Sequence, residues 1–172
     1  AINVTDPGDE SRLPNSASVT TYSITFPVIS TLSGTDDVDI TVALDDTIAA
    51  GMSIVSIDGI AIGATSGAIV RTFAFNTTQN ITVVYTVANN AAGSTSDITL
   101  TATSQSVPSA TDNETAIVTI IKPALSVTKE VFTDSGLTTP VAGDVDPGQT
   151  LYYRVTVENT GTAATGLMTV TD

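Results

Sequence analysis

The sequence predicts an all-β fold built from antiparallel β-sandwich units, and three observations carry that prediction. Several segments alternate apolar and polar residues with a period of two, the pattern of a strand buried on one face. The core-forming residues are mostly Val, Ile, Leu and Ala, and Thr is abundant, so β-branched side chains dominate and favour strands over helices. Gly, Pro, Asn and Asp interrupt these segments at short intervals, where turns are required.

The strands follow in order. In 2–5, Ile2 and Val4 alternate with Asn3 and Thr5. In 19–28, Tyr22, Ile24 and Phe26 oppose Thr21, Ser23 and Thr25, and Ser33-Gly34 makes the next turn. In 38–44, Val38, Ile40, Val42 and Leu44 oppose Asp39 and Thr41. Residues 46–50 are the only helical candidate and are too short to anchor an architecture. Strand 52–57 ends at the turn signal Asp58-Gly59, and 69–75 follows Gly63 and Gly67. In 81–87, Ile81, Val83, Tyr85 and Val87 oppose Thr82 and Thr86. After Asn89-Asn90 and Gly93, strand 98–103 sets Ile98, Leu100 and Ala102 against Thr99, Thr101 and Thr103. Strand 115–121 follows Pro108 and Asp112-Asn113. Beyond Lys122-Pro123 come strands 125–131, 151–158 and 167–171, with Gly136, Pro140, Gly143 and Pro147-Gly148 between the first two. In 151–158, Leu151, Tyr153, Val155 and Val157 share one face. The wet faces, rich in Thr, read as solvated sheet surfaces.

Lys122-Pro123 divides the chain into residues 1–122 and 123–172, because Pro ends a strand and stiffens a junction. An internal repeat links the two parts. Residues 2–5 match 125–128, 22–26 match 153–157, and 40–45 match 167–172. On that alignment the second part holds only the opening strands of a sandwich. Val127, Tyr153, Val155 and Val157 would then form an open apolar face, and each buried side chain of this kind is worth roughly 1.5–3 kcal/mol. The expectation is completion by a continuing polypeptide or by a neighbouring subunit through strand addition. The segment starting at Ala1, Ile2 and Val4 is the natural donor.

Composition excludes several classes. The chain has no His and no Cys, so Ser/His/Asp and Cys/His catalytic sets cannot form and disulfides are absent. With five Lys plus Arg against 18 Asp plus Glu, the net charge is −13, and no basic stripe exists for nucleic acid. No run is long and apolar enough to insert into a bilayer as a helix. The start at Ala1, without Met or a basic-then-apolar leader, fits either a mature secreted chain or a trimmed one. There is no GxGxxG and no P-loop, and enzymatic activity is not expected.

Residues 124–172 resemble the opening half of a prokaryotic secreted surface-repeat domain, a conserved repeat of unknown function with an immunoglobulin-like β-sandwich fold. Five blocks carry the resemblance in order: Val127-Thr128-Lys129, Pro147-Gly148, Tyr153-Arg154-Val155-Thr156-Val157, Asn159-Thr160-Gly161 and Val170-Thr171-Asp172. Residues 1–122 look like a related unit, in which Ser30–Thr35 replaces the Asn-Thr-Gly block. The resemblance implies two immunoglobulin-like units in tandem, the second incomplete. It implies a structural role in an extracellular filament, with the stalk of an adhesin or S-layer-like protein as the alternative; an acidic, all-β chain without cysteine also fits a capsid or surface decoration protein. It implies no catalysis and no defined ligand.

Three sets of residues remain as candidate sites. Asp36, Asp37 and Asp39 would supply carboxylate oxygens for Ca²⁺, the one cofactor considered, against a plainer reading as solvated residues that blunt a strand edge. The other acidic groups, Asp6 with Asp9-Glu10, Asp45-Asp46 and Asp144-x-Asp146, read the same way. Asn3, Asn76, Asn80 and Asn113 each open an Asn-x-Thr glycosylation sequon, with Asn76 and Asn80 at a predicted turn. Lys129, in register with Val127, is a candidate for an isopeptide link to Glu158 or Asn159.

Overall fold

The computed structural model describes residues 1–16, 18–45 and 52–171, and every regular element among them is a β-strand. The helical candidate 46–50 lies outside the described residues. The chain divides into two compact units, Ala1–Ile121 and Lys122–Asp172.

The first unit is a β-sandwich of two five-stranded sheets. Its strands are β1 (Ile2–Val4), β2 (Glu10–Arg12), β3 (Tyr22–Ser30), β4 (Asp36–Leu44), β5 (Ser53–Ile57), β6 (Ile60–Ala64), β7 (Ser66–Phe73), β8 (Thr77–Thr86), β9 (Thr95–Ser104) and β10 (Thr111–Ile120). Sheet 1 runs β1-β3-β8-β5-β6 and sheet 2 runs β2-β10-β9-β4-β7. All neighbours are antiparallel except β2, which lies parallel to β10. The alternation read from the sequence places the side chains. Ile24, Phe26 and Val28 from β3 and Ile81, Val83 and Tyr85 from β8 face Val38, Ile40 and Val42 from β4 and Ile98, Leu100 and Ala102 from β9 in one buried core. On the outer faces threonine hydroxyls meet across strands, as Thr99 with Thr115 at 2.8 Å and Thr103 with Thr111 at 2.9 Å.

Two strands escaped the sequence. Glu10–Arg12 carries no apolar residue, yet it holds the last strand of sheet 2 through backbone pairing with Val118–Ile120. A polar network fixes it. The Tyr85 hydroxyl donates to Glu10 Oε2 at 2.6 Å, Arg12 pairs with Glu10 Oε1 at 2.5 Å, and the guanidinium lies 5.3 Å from the Tyr22 ring centre. Burial, then the Glu10 carboxylate, pushes the Tyr85 phenol well above its ordinary value of 10.0. Ile60–Ala64 reads as small residues around a turn glycine, but it forms the edge of sheet 1. Asp58 and Gly59, at φ 47° and 78°, make the two-residue turn that folds β6 back on β5. Ile62 then reaches over Gly67 of β7, where a Cβ would stand 2.5 Å from the Ile62 Cγ2, and so closes that side of the sandwich.

Asp58 also clamps the two sheets. Its Oδ1 accepts from Thr82 N–H at 2.8 Å in sheet 1, and its Oδ2 accepts from Arg71 Nε at 2.9 Å in sheet 2.

The second unit is a single antiparallel hairpin of β11 (Leu125–Phe132) and β12 (Tyr152–Asn159). Residues 167–171, expected as a strand, have no strand pairing. Their alternating apolar pattern is compatible with a strand, but among the described residues their backbone pairs with none.

Candidate assembly surface

The hairpin of the second unit has two unlike faces, set by register. Val127 pairs with Val157, Lys129 with Val155 and Val131 with Tyr153, so these residues and Leu125 share one face. Glu130 pairs with Arg154 and Thr128 with Thr156 on the other. There Arg154 bonds Glu130 at 2.8 Å, and its guanidinium lies 5.0 Å from the centre of the buried Phe132 ring. The second face is therefore polar along much of its length, with Phe132 covered at one end. The first is apolar and open.

The alignment expected from the sequence gives each residue of that open face a position to compare in the first unit. Tyr153, Val155 and Val157 match Tyr22, Ile24 and Phe26, while Leu125 and Val127 match Ile2 and Val4. In the first unit Ile2, Val4, Ile24 and Phe26 are interior, at 5%, 2%, 4% and 0% exposed, while Tyr22 is half-buried. In the second, Leu125, Val127, Tyr153 and Val155 are 52%, 63%, 51% and 40% exposed, and Val157, aligned with Phe26, is half-buried. In both hairpins the first strand lies antiparallel to the second. Val4 pairs with Val28, six positions past Tyr22, whereas Val127 pairs with Val157, four past Tyr153. A two-residue slip keeps every side chain on its face. In the first unit β8 fills the far edge of β3, pairing Val83 with Ile24 and Ile81 with Phe26. Among the described residues no strand takes that place on β12.

Part of the open face is roofed by the following segment. Leu125, Val127, Val157, Met168, Thr169, Val170 and Thr171 line a groove of about 250 Å³. The Lys129 ammonium lies 4.7 Å from the Tyr153 ring centre at the other end of the face.

Asn159-Thr160-Gly161 locks the base of the hairpin. Asn159 Oδ1 accepts from Ala124 N–H at 3.2 Å and Gly161 N–H at 3.1 Å, and Nδ2 donates to the Ala163 carbonyl at 2.8 Å. A Cβ on Gly161 would stand 2.3 Å from the Lys122 carbonyl oxygen, so only glycine fits. The turn signal was legible in the sequence; the reason for its residues was not.

The structure redistributes the other candidates. Ala1, Ile2 and Val4 are not a free donor segment. Ile2 and Val4 are buried in β1 on its own β3, and the Ala1 amino group donates to Thr31 Oγ1 at 3.0 Å. Donating this segment to a neighbour would expose the core it fills. Lys129 projects from the face opposite Glu158, which pairs with Ser126, and Asn159 lies across from Leu125, so the isopeptide set does not assemble. Asn80 stands within β8 rather than in a turn, while Asn76 occupies the turn at φ 54°.

The Asp36, Asp37 and Asp39 trio is divided by the pleat. Asp36 points inward and is buried, while Asp37 and Asp39 project outward, where they accept from Thr72 Oγ1 at 2.6 Å and Gln105 Nε2 at 2.7 Å. Among the described residues no group of three or more acidic side chains is gathered to hold a metal ion. Asp36 instead pins the loop after β9. The nearby hydroxyls of Ser104 and Ser106, with the Ser106 N–H at 3.3 Å from Oδ1, favour its carboxylate and lower it below the usual 3.8 against the opposing effect of burial, although Oδ2 has no hydrogen-bond partner. A depressed folded-state value stabilises the fold above pH 3.8, and that contribution is lost as pH falls through the depressed value. Asp36→Asn should therefore flatten the acid limb of a stability-versus-pH curve measured by urea unfolding. An unchanged limb would show that Asp36 is not held this way.

Among the described residues no helix is long and apolar enough to cross a membrane. No protein-family model matches the chain, and no curated protein matches it.

Proposed function

We propose that this chain is a structural segment of a secreted prokaryotic surface filament, built from β-sandwich units that join end to end. The observation that carries the reading is the open apolar face of β11 and β12, whose aligned aliphatic positions and Phe26 in the first unit are interior. A two-stranded sheet is marginal alone in water, and a third strand with a covered face makes it stable. The incoming strand takes on β12 the antiparallel place that β8 holds on β3. It presents apolar residues toward Tyr153, Val155 and Val157 and threonine-like residues outward, and further polypeptide of the same repeat type supplies it. The resemblance of residues 124–172 to surface repeats supports the same reading, as does an acidic exterior that keeps long assemblies from associating laterally.

Hydrogen exchange on the 172-residue chain alone tests this. Amides of β12 should exchange orders of magnitude faster than those of β3, and a peptide patterned on Asn80–Thr86 should slow them. Equal protection of β12 and β3 without any added strand would mean that the hairpin is already sealed, and the reading fails.

A further inference from the structure

The asparagines that open Asn-x-Thr sequons differ in situation from those that hold the fold together. Asn15 and Asn159 are tied by side-chain hydrogen bonds to Val19 and Val87 and to Ala124, Gly161 and Ala163, and neither opens a sequon. Asn3, Asn76, Asn80 and Asn113 do, and all four are exposed.

Three of these four converge. Asn3 on β1 pairs with Ile29 of β3, which pairs in turn with Thr78 of β8. Asn80, two residues beyond Thr78, pairs with Pro27, whose carbonyl accepts from Thr5 N–H at 2.9 Å. Directly paired residues project to the same side of a sheet, and Val4, Val28 and Ile81 occupy the inner side. Asn3, Thr5, Thr78 and Asn80 therefore stand together on the outer face of sheet 1. Asn76 sits in the turn that leads into β8, its N–H bonded to the Ser30 carbonyl at 2.8 Å. Within a strand, residues two apart share a face, so Asn3 with Thr5 and Asn80 with Thr82 present the amide and the hydroxyl together.

We propose that this end of the outer face of sheet 1 is a glycan-bearing surface, modified at Asn3, Asn76 and Asn80. The donor is a polyprenyl-diphosphate-linked saccharide. Asparagine Nδ2 attacks its anomeric carbon and the N–C bond forms. The bond from that carbon to the diphosphate oxygen breaks, polyprenyl diphosphate leaves, and the amide proton passes to a base of the transferase. Because β1 is the edge of sheet 1, a saccharide on Asn3 also shields that edge from pairing with another chain.

Tryptic mapping of the protein from its native source tests the proposal. Residues 1–12 and 72–129 should carry added saccharide mass, and 13–71, which holds no sequon, should not. Fragment spectra should place the mass on Asn3, Asn76 and Asn80, and it should resist alkaline β-elimination. Asn76→Gln and Asn80→Gln should each remove one increment. Unmodified peptides, mass confined to Asn113, or mass released by β-elimination from threonine would each overturn it.

Discussion

Truncating Ile24 to Ala should destabilise the first unit by about 2–5 kcal/mol, while Val155→Ala at the matching position should stay within about 0.5 kcal/mol. The side chains are similar and fall at matching positions in the expected sequence alignment. Only their surroundings differ: Ile24 is walled by the opposite sheet, and Val155 faces solvent. Deleting methyl groups from a packed site forfeits both transfer energy and contacts across the cavity left behind. Deleting them from an open face forfeits little. The check is urea unfolding followed by probes in each unit, because two compact units need not melt as one. With a covering strand bound, the cost at Val155 should rise toward that at a buried site. Equal costs at the two positions in the chain alone would remove the basis for treating the hairpin face as an assembly surface.

Asp58→Ala should cost about 2–3 kcal/mol, more than a typical polar substitution. It removes the acceptor of the Thr82 N–H and the partner of the Arg71 guanidinium, whose side chain is three-quarters covered. It also puts Ala at φ 47°, where Asp and Asn are tolerated far better. Asp58→Asn separates these effects, since it keeps the backbone preference and an acceptor for Thr82 but loses the charge. It should cost roughly half as much, measured as the shift in urea midpoint. Indistinguishable midpoints for wild type and Asp58→Ala would show that the clamp between the sheets contributes nothing.

The strands that alternate most regularly, Tyr22–Ser30, Asp36–Leu44, Thr77–Thr86 and Thr95–Ser104, were legible in their central residues because one face of each is buried. Their ends were less so. Thr111–Ile120 begins four residues ahead of the expected start at Thr115, because backbone pairing of Thr111 with Thr103 needs no apolar side chain. Glu10–Arg12 was illegible for the same reason. Ile60–Ala64 was hidden by Gly63, and only its packing over Gly67 shows why small residues belong there. Of the candidate sites, the apolar face of Val127, Tyr153, Val155 and Val157 was readable as a periodicity. The acidic trio looked like a cluster only because neighbours in sequence were counted together, and the pleat sends Asp36 one way and its neighbours the other.

The sequence by itself determined the all-β class, the alternation that sorts side chains into core and solvent, and the boundary near Lys122-Pro123, because these depend on residues close along the chain. Tertiary structure alone decided that Ile2 and Val4 are spent within their own core, that Asp58 bridges two sheets, and that the matching face of the second unit lies open. Those outcomes depend on which strand lies beside which, and hydrogen-bonded pairing joins residues tens of positions apart.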